Sequence, residues 1–515
     1  MSGALDRRRF LGLSGALGVL GVGAPFALQL AAAGSAAGQS AADYKALVCV
    51  FLFGGNDAHN TVLATDPDSW TRYFSARNTG AEPIALMPPG AAPTPVGQTS
   101  PVTGRVAEPA SPEAWGGVLP ITPRTPQPIP LGTNASSRTF ALNPFLGPLR
   151  DLFGQGRLAV LANVGTLIQP INKVQYQSRS AAVPASLFSH NDQQSTWQAL
   201  SQEGARTGWG GRLADMVAGM NGASTLFTAV SAAGNAVFLS GQSIVQYQLS
   251  TGAQPAVVIT GQRSARLFGS AAGPANLRSL ITDTNVSNNL AADYASTVAR
   301  SISAASTVNA AFEQDIVTGV ATAPPFTNPL TQQVEANTLA LQLQTVARMI
   351  AASGPLGVRR QVFFVGLGGW DTHNNQNATQ SVLLAKVAHA LSYFDGALSN
   401  IGGLDRRAQV TTFTASDFGR SFTTNGDGTD HAWGAHHFIM GGAVRGGDIY
   451  GQYPTLGADV NGFNNPDQVG GAQIPTTSVD QYGATLGRWF GVSDGDIDVI
   501  FPRLRNFNTR YLGFV

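Results

Sequence analysis

The sequence predicts an α/β fold with a doubly wound, mostly parallel sheet, and three observations support this prediction. Near-continuous apolar runs cover residues 46–53, 158–162, 361–367 and 409–415, as is typical of strands buried on both faces. Each run ends in a turn rich in Gly, Asn or Asp. Helical patterns lie between the runs, and this alternation favours a parallel sheet.

The helical patterns cover about 145–154, 192–201, 210–219, 331–353 and 376–399. In a doubly wound sheet, helices cover both faces and the ligand lies beyond the carboxyl ends of the strands. The first strand contains the only cysteine, Cys49. We predict that Cys49 is a packing residue, because a thiol buried in a strand is seldom a nucleophile.

Residues 1–38 have the pattern of a twin-arginine signal peptide. Three arginines at 7–9 precede an uncharged stretch rich in Gly, Ala and Leu, and small residues follow it. A single transmembrane anchor is the alternative, although the Gly content makes the stretch weakly hydrophobic. We expect the twin-arginine (Tat) translocase to export the folded chain to the periplasm or the extracellular space. The mature domain, residues 44–515, is then expected to have no transmembrane segment.

The composition indicates a loop-rich globular protein. Lys and Arg number 31, Asp and Glu number 30, and together they form 12% of the chain. This balance disfavours nucleic acid as a partner, because nucleic-acid binding needs a basic face, and it excludes an acidic disordered chain. The 60 Gly and 29 Pro predict long irregular insertions, which we place at about 75–140 and 220–330.

Three aspartates follow the ends of predicted strands: Asp57, Asp371 and Asp417. One such aspartate is common, because it often caps the next helix. The carboxyl ends of parallel strands share one edge of the sheet, so three carboxylates from distant parts of the chain are expected to meet there. This edge is the predicted functional site.

Histidines accompany these aspartates. His373 lies two residues after Asp371, and a later segment holds four more candidate ligands, Asp430, His431, His436 and His437. Imidazole with carboxylate suits zinc, manganese or iron, and a carboxylate-rich set also suits magnesium or calcium. A single histidine of this kind is more simply a hydrogen-bonded loop residue, and His389 is expected to pack within its helix. For the whole group we predict one or two divalent ions, zinc or manganese.

The order of the short motifs resembles a known family. They are the signal peptide and then segments 53–57, 187–193, 208–213, 369–373, 416–420 and 428–442. Together they resemble the exported bacterial "domain of unknown function 1501" family over nearly the whole mature chain. That family is similar to the alkaline phosphatase-like superfamily, which includes sulfatases, phosphatases and cofactor-independent phosphoglycerate mutases. The resemblance implies an alkaline phosphatase-like fold with a metal centre.

The resemblance assigns metal ligands residue by residue. Asp57 matches the superfamily's first metal-binding aspartate. Asp371 with His373 resembles the strand-end pair that holds one metal, although the superfamily usually spaces this pair more widely. Asp417 stands where the Asp-His pair of the second metal begins, but Phe418 occupies the histidine position.

The departure at Phe418 leaves the second metal position open. Asp430 with His431 supplies that position, or the site is rearranged. One of His436 and His437 is the remaining imidazole ligand, because adjacent residues in a strand point apart.

The resemblance also implies a nucleophile at a helix start. Ser189 fits this position, with a plain N-cap role as the alternative, and Thr166 and Thr196 are competitors. The sequence has no Cys-x-Pro-x-Arg segment, which disfavours a formylglycine-type sulfatase mechanism. Arg212 and Arg420 are expected to hold an anionic oxygen through their guanidinium groups, or to form structural salt bridges.

These observations predict an exported metal-dependent hydrolase that acts on a phosphate or sulfate ester. The alternative is a non-catalytic exported surface or assembly protein that keeps the fold. A third possibility is a metal-dependent enzyme whose nucleophile is water rather than a side chain.

Overall fold

The structure is a computed structural model that describes residues 44–515, except 131–135, 223–224, 253–255, 257–260, 262–263 and 460–462. The predicted signal peptide, residues 1–38, lies outside the described residues. Within the described ranges, no helix is long and apolar enough to cross a membrane.

The fold is built on one large central sheet of nine strands, with smaller two- and three-stranded sheets around it. The strands of the described chain are β1 Lys45–Phe53, β2 Val62–Ala64, β3 Leu119–Ile121, β4 Phe140–Leu142, β5 Leu158–Gly165, β6 Ala229–Ser231, β7 Tyr247–Gln248, β8 Phe326–Thr327, β9 Val334–Glu335, β10 Arg360–Gly368, β11 Val410–Ser416, β12 Ala435–Met440, β13 Ile449–Tyr450, β14 Gln468–Val469, β15 Ala472–Gln473 and β16 Thr477–Ser478. The four longest strands, β1, β5, β10 and β11, match the predicted strands to within a few residues.

The helices also follow the predicted pattern where the periodicity is strong. In the described chain they are α1 Pro67–Arg77, α2 Pro112–Trp115, α3 Gly147–Gly154, α4 Lys173–Ser178, α5 His190–Ala199, α6 Trp209–Val217, α7 Gly273–Ile281, α8 Asn289–Phe312, α9 Asp315–Thr318, α10 Thr338–Ala351, α11 Gln376–Leu398, α12 Val479–Phe490 and α13 Asp494–Ile500. Helices α3, α5, α6, α10 and α11 correspond to the five predicted segments.

The central sheet has the order β13-β5-β12-β11-β1-β10-β6-β7, and β16 also pairs with β5. Strand β1 runs parallel to both β10 and β11. Strand β12 runs antiparallel to its neighbours β11 and β5. The mixed α/β fold with a mostly parallel sheet is therefore confirmed, and the carboxyl ends of β1, β10 and β11 lie at one edge.

Helices cover both faces of the sheet, so β1 is buried on both sides. Its residues Val48 and Val50 belong to one apolar core, which α10 and α11 complete. The intervening residues Cys49 and Phe51 belong to a second core, with α6 and α12. This alternation follows from the two-residue period of a strand. Burial raises the pKa of the Cys49 thiol, in keeping with the packing role that we predicted for it.

The insertions contain more regular structure than the sequence suggested. Residues 220–330 contribute β6 and β7 to the central sheet and include the 24-residue helix α8. Alanine is the strongest helix former, and α8 buries small residues such as Ala304 and Ala311. A helix that packs through alanines has little hydrophobic periodicity, which explains why the sequence pattern did not reveal it. In the other insertion, β3 pairs with β4, and β4 also pairs with β2.

Candidate metal centre

The turns that follow β1, β10 and β11 pack closely against one another at the carboxyl edge of the sheet. Gly54, directly after β1, has a φ of +120°, and a Cβ there would lie 2.3 Å from the backbone nitrogen of Asp371. Only glycine tolerates this φ and this approach. The Gly54 N–H also donates to the Asp417 carboxylate, with N and Oδ2 3.1 Å apart. The turns that carry Asp371 and Asp417 therefore meet at Gly54.

Four side chains converge at this edge and form what we call the histidine–aspartate cluster: His190, Asp371, His373 and His431. The Nε2 atoms of His373 and His431 are 2.9 Å apart, and each is 3.2 Å from Asp371 Oδ1. His190 Nε2 lies 3.4 Å from Asp371 Oδ2. One donor atom each from His190, Asp371 and His431 fall within 4.8 Å of one another, which is compatible with shared ligation of an ion.

The Nδ1 atom of each histidine in the cluster faces an oxygen. His190 Nδ1 is 2.7 Å from Asp417 Oδ2, His431 Nδ1 is 2.7 Å from the Phe188 carbonyl oxygen, and His373 Nδ1 is 3.2 Å from Asp430 Oδ1. Because these oxygens accept, the hydrogen of a neutral ring belongs on Nδ1. Each Nε2 then presents a lone pair to the cluster, which is the orientation that metal-binding histidines adopt.

Asp417 supports the cluster from the interior of the protein through its contact with His190, and its side chain is fully buried. Its Oδ2 accepts from Gly54, from His190 and from the amide of Gln194 at 2.9 Å. The hydrogen bond to Asp417 outweighs desolvation and raises the pKa of His190. The other oxygen, Oδ1, is buried without a hydrogen-bond partner among the described residues.

Arg420 positions Asp371. Its buried guanidinium donates to Asp371 Oδ1 at 2.6 Å and to the carbonyl oxygens of Gly54 and Thr429. Partial burial opposes ionisation of Asp371, but Arg420 outweighs it and lowers the pKa of this carboxyl. Arg420 thus forms the salt bridge that was the alternative in the sequence analysis. Its guanidinium N–H groups already have acceptors within the protein.

A strained backbone position supports His431. Phe188, whose carbonyl oxygen faces His431 Nδ1, has a φ of +74°. A bulky residue in this left-handed region costs roughly 1–2 kcal/mol. The surrounding fold therefore holds the Phe188 carbonyl in place against a conformational cost.

Asp57 was expected as the first metal ligand, but the structure does not bring it into the cluster. Its carboxylate pairs with buried Arg77 at 2.5 Å and also accepts from Gln376 at 2.6 Å and from the His59 N–H at 3.0 Å. Burial opposes its ionisation, but Arg77 outweighs this and lowers the pKa of Asp57. The demand of a buried guanidinium for a carboxylate explains the difference.

His436 and His437 also lie outside the cluster, as interior residues of β12. His436 Nδ1 accepts from the Asn163 N–H at 3.0 Å, and His437 Nδ1 is 3.2 Å from the Thr414 hydroxyl. Burial lowers the pKa of both rings, to about 3 for His437. The two side chains point to opposite faces, as expected, but both faces are buried cores. Asp430 reaches the cluster only as the partner of His373 Nδ1.

The remaining predicted catalytic residues differ in their surroundings. Arg212 binds the carbonyl oxygens of Val499 and Ile500 at the end of α13, so it caps a helix. Ser189 is the N-cap residue of α5, yet among the described residues its side chain makes no capping hydrogen bond. Ser189 directly precedes His190 of the cluster in the chain.

The two competing threonines use their hydroxyls elsewhere. Thr166 donates to the side chain of Gln193 at 2.8 Å, and Thr196 donates to the carbonyl oxygen of Asp192 at 2.7 Å. Both hydroxyls therefore have local structural partners.

Sequence reasoning missed His190 and Gln194 as site residues. They lie four residues apart in α5, so one face of the helix directs both side chains to Asp417 Oδ2. The motif 187–193 was part of the family resemblance, but the helix was predicted to begin two residues later. A boundary at His190 places this ring on the first turn, where it reaches the sheet edge.

These features define an α/β protein with a cluster of histidines and an aspartate, suited to a metal ion, at the carboxyl edge of its sheet. The chain belongs to the family described as "Protein of unknown function (DUF1501)", whose model matches residues 44–501. No curated protein matches the sequence.

Proposed function

We propose that the protein is an exported metal-dependent hydrolase of the alkaline phosphatase- or sulfatase-like class, acting on a phosphate or sulfate ester. One observation carries the proposal. Three imidazole Nε2 atoms and the Asp371 carboxylate face one another, while every Nδ1 of the cluster is committed to an oxygen. With each ring neutral and its hydrogen on Nδ1, the Nε2 and carboxylate lone pairs face one another without a hydrogen between them, and a bound cation would stabilise that arrangement.

The donor set favours zinc or manganese. Three imidazoles with one carboxylate match the nitrogen-rich sites of these metals, whereas magnesium and calcium prefer oxygen ligands. We assign His190, Asp371, His373 and His431 to the first ion. Asp417 Oδ1, buried and without a partner among the described residues, is the candidate ligand for a second. When bound, the metal polarises the ester and lowers the pKa of a bound water.

We assign Ser189 as the nucleophile. The residue lies at the start of α5, where free backbone N–H groups and the helix dipole stabilise negative charge. Its hydroxyl makes no capping hydrogen bond, whereas the hydroxyls of Thr166 and Thr196 donate to other groups of the protein. A water nucleophile is the alternative, and failure to trap a phosphoserine or sulfoserine during turnover would favour it.

The proposal is tested by metal analysis and hydrolysis assays on the mature chain. We expect purified protein to contain zinc or manganese, and Asp371→Asn to lower both metal content and 4-nitrophenyl phosphate or sulfate hydrolysis by at least a hundredfold. Asp405→Asn is the matched control, since Asp405 is also half exposed and paired with an arginine, Arg407. Metal-free protein whose activity Asp371→Asn leaves unchanged contradicts the proposal.

A non-catalytic exported protein is the second candidate function. The observation that favours it is that Asp57 and Arg420, both expected to act on metal or substrate, are engaged in ion pairs within the protein, Asp57 with buried Arg77 and Arg420 with half-exposed Asp371. Protein that binds metal stoichiometrically but hydrolyses neither ester, with either metal added, would support this second function.

A further inference from the structure

A cavity of about 300 Å³ lies along helix α5, the helix that carries His190 of the histidine–aspartate cluster. One wall is helix α5, and a second is Phe53, the last residue of β1. Segments 203–205 and 235–237 complete it.

The cavity and the cluster share two structural elements, helix α5 and the end of β1. Gln194 lines the cavity and donates to Asp417 Oδ2, the same oxygen that faces His190 Nδ1. On the other wall, Phe53 immediately precedes Gly54, whose N–H donates to Asp417 as well. The cavity therefore lies along α5 from the ring of His190, and Asn191, the residue after His190, is part of its lining.

The α5 wall is a polar stripe. Asn191, Gln194, Ser195 and Gln198 line the cavity, and their spacing of three, four and seven residues places them on one face of the helix. Gln194, Ser195 and Gln198 also bond to Asp417, to the Gln202 carbonyl oxygen and to the Phe238 N–H. The Asn191 amide and the other amide atoms of Gln194 and Gln198 are then the groups that a polar ligand would meet.

The rest of the lining combines aromatic rings with a single charge. The rings of Phe53 and Phe364 pack edge to face with centroids 6.2 Å apart, and Glu203 is the one charged residue among those described as lining the cavity. With no Lys or Arg in that lining, an anionic group gains nothing there. Amides that recognise hydroxyl groups, beside aromatic faces that pack on C–H surfaces, suit a neutral polyhydroxylated ring.

We propose that this cavity holds the leaving-group alcohol of the ester and that this alcohol is a neutral sugar. The inference rests on the proposed hydrolase function for its leaving-group role. In the Ser189 route, the serine oxygen bonds to the phosphorus or sulfur atom as the bond to the sugar oxygen breaks, and the hydroxyl gives up its proton; a water then cleaves the serine ester, releases phosphate or sulfate and restores the hydroxyl. In the water route, the water oxygen bonds directly to that atom, the bond to the sugar oxygen breaks and the water gives up a proton. The sugar oxygen takes up one proton, and the free sugar then leaves the cavity.

Binding of unesterified sugar tests the cavity separately from catalysis. Saturation-transfer NMR with methyl glycosides of glucose, galactose, mannose and N-acetylglucosamine is expected to detect binding of at least one. Asn191→Ala and Glu203→Gln are each expected to weaken it about fivefold or more, because the first removes a hydrogen-bonding amide and the second removes the charge that strengthens a hydrogen bond from a sugar hydroxyl. The matched control is Asn289→Ala, at the exposed start of α8.

A second measurement compares hydrolysis of the corresponding sugar phosphates and sulfates with that of 4-nitrophenyl esters. We expect Asn191→Ala to lower the ratio of kcat/KM for sugar over aryl ester about fivefold or more, and Asn289→Ala to leave it unchanged. Aryl hydrolysis without binding of any glycoside overturns this inference but keeps the proposed function. Glycoside binding without hydrolysis of any ester overturns the proposed function and the leaving-group role, and keeps only the sugar site.

Discussion

Burial keeps the rings of His59 and His437 uncharged, since desolvation is the main cause that lowers the pKa of each to about 3. In the unfolded chain the pKa of histidine is about 6.5. Between these values the unfolded state binds more protons than the folded state. The free energy of unfolding therefore falls as the pH drops from 6.5 towards 3.

The first prediction follows at this residue scale. Each buried histidine adds up to about 1.4 kcal/mol per pH unit to the slope of unfolding free energy against pH. His437→Gln is expected to make that slope shallower by this amount, measured by urea unfolding between pH 6.5 and 4.5. His59→Gln should act in the same way, and an unchanged slope in both variants contradicts the assignment of neutral buried rings.

Single residues also mark where sequence reasoning reached its limit. The position of Asp57 at a strand end was predictable, but its partner Arg77 lies 20 residues away in another element, and only the folded chain shows that the two meet. Asp371, His373 and His431 were predictable because their turns follow or neighbour buried strands. His436 and His437 were misplaced because their segment is a strand, β12, which was read together with the Gly- and Asp-containing turn that precedes it.

At the scale of elements, α1 fastens two turns of the sheet edge through its last residue. Arg77 pairs with Asp57 after β1 and donates to the carbonyl oxygens of Ser421 and Phe422 after β11. All three contacts are buried, so removal of the guanidinium leaves the Asp57 carboxylate without its counter-charge.

This arrangement leads to a prediction about stability. Arg77→Met is expected to lower the free energy of unfolding by about 3–5 kcal/mol, because it leaves the buried Asp57 carboxylate without a counter-charge. Adding Asp57→Asn should restore part of the loss. Arg150→Met, which removes an exposed pair with Asp151, should change stability by less than about 1 kcal/mol. Similar losses of stability in Arg77→Met and Arg150→Met would contradict the larger contribution that we predict for the buried pair.

The long elements were the most predictable part of the fold. Strands β1, β5 and β10 are largely apolar on both faces, and β11 is buried throughout although it combines Val, Phe and Ala with three threonines. Such long buried strands leave a continuous signal in the sequence. Strands β6 and β7 are two or three residues long, and α8 packs through alanine, so neither produces such a signal. The short strands β6 and β7 depend on pairing at the edge of the central sheet.

At the scale of the whole molecule, the twin-arginine pattern predicts how the chain is exported. Replacing both Arg7 and Arg8 by Lys is expected to leave the precursor in the cytoplasm, because the translocase reads the arginine pair. Cell fractionation of an epitope-tagged chain measures this, with Arg9→Lys as the control. Normal export of the double variant would argue against the twin-arginine route.

The cluster also bears on how the chain is held together. Asp371 and His431 lie 60 residues apart, and His190 comes from a third, more distant segment. An ion bound there would act as a covalent-like cross-link between three segments, in a chain whose one cysteine cannot form an intramolecular disulfide. Closing loops of that length removes chain entropy from the unfolded state. The metal would then stabilise the fold as well as take part in catalysis. Removal of the metal by a chelator should therefore make the chain more susceptible to proteolysis.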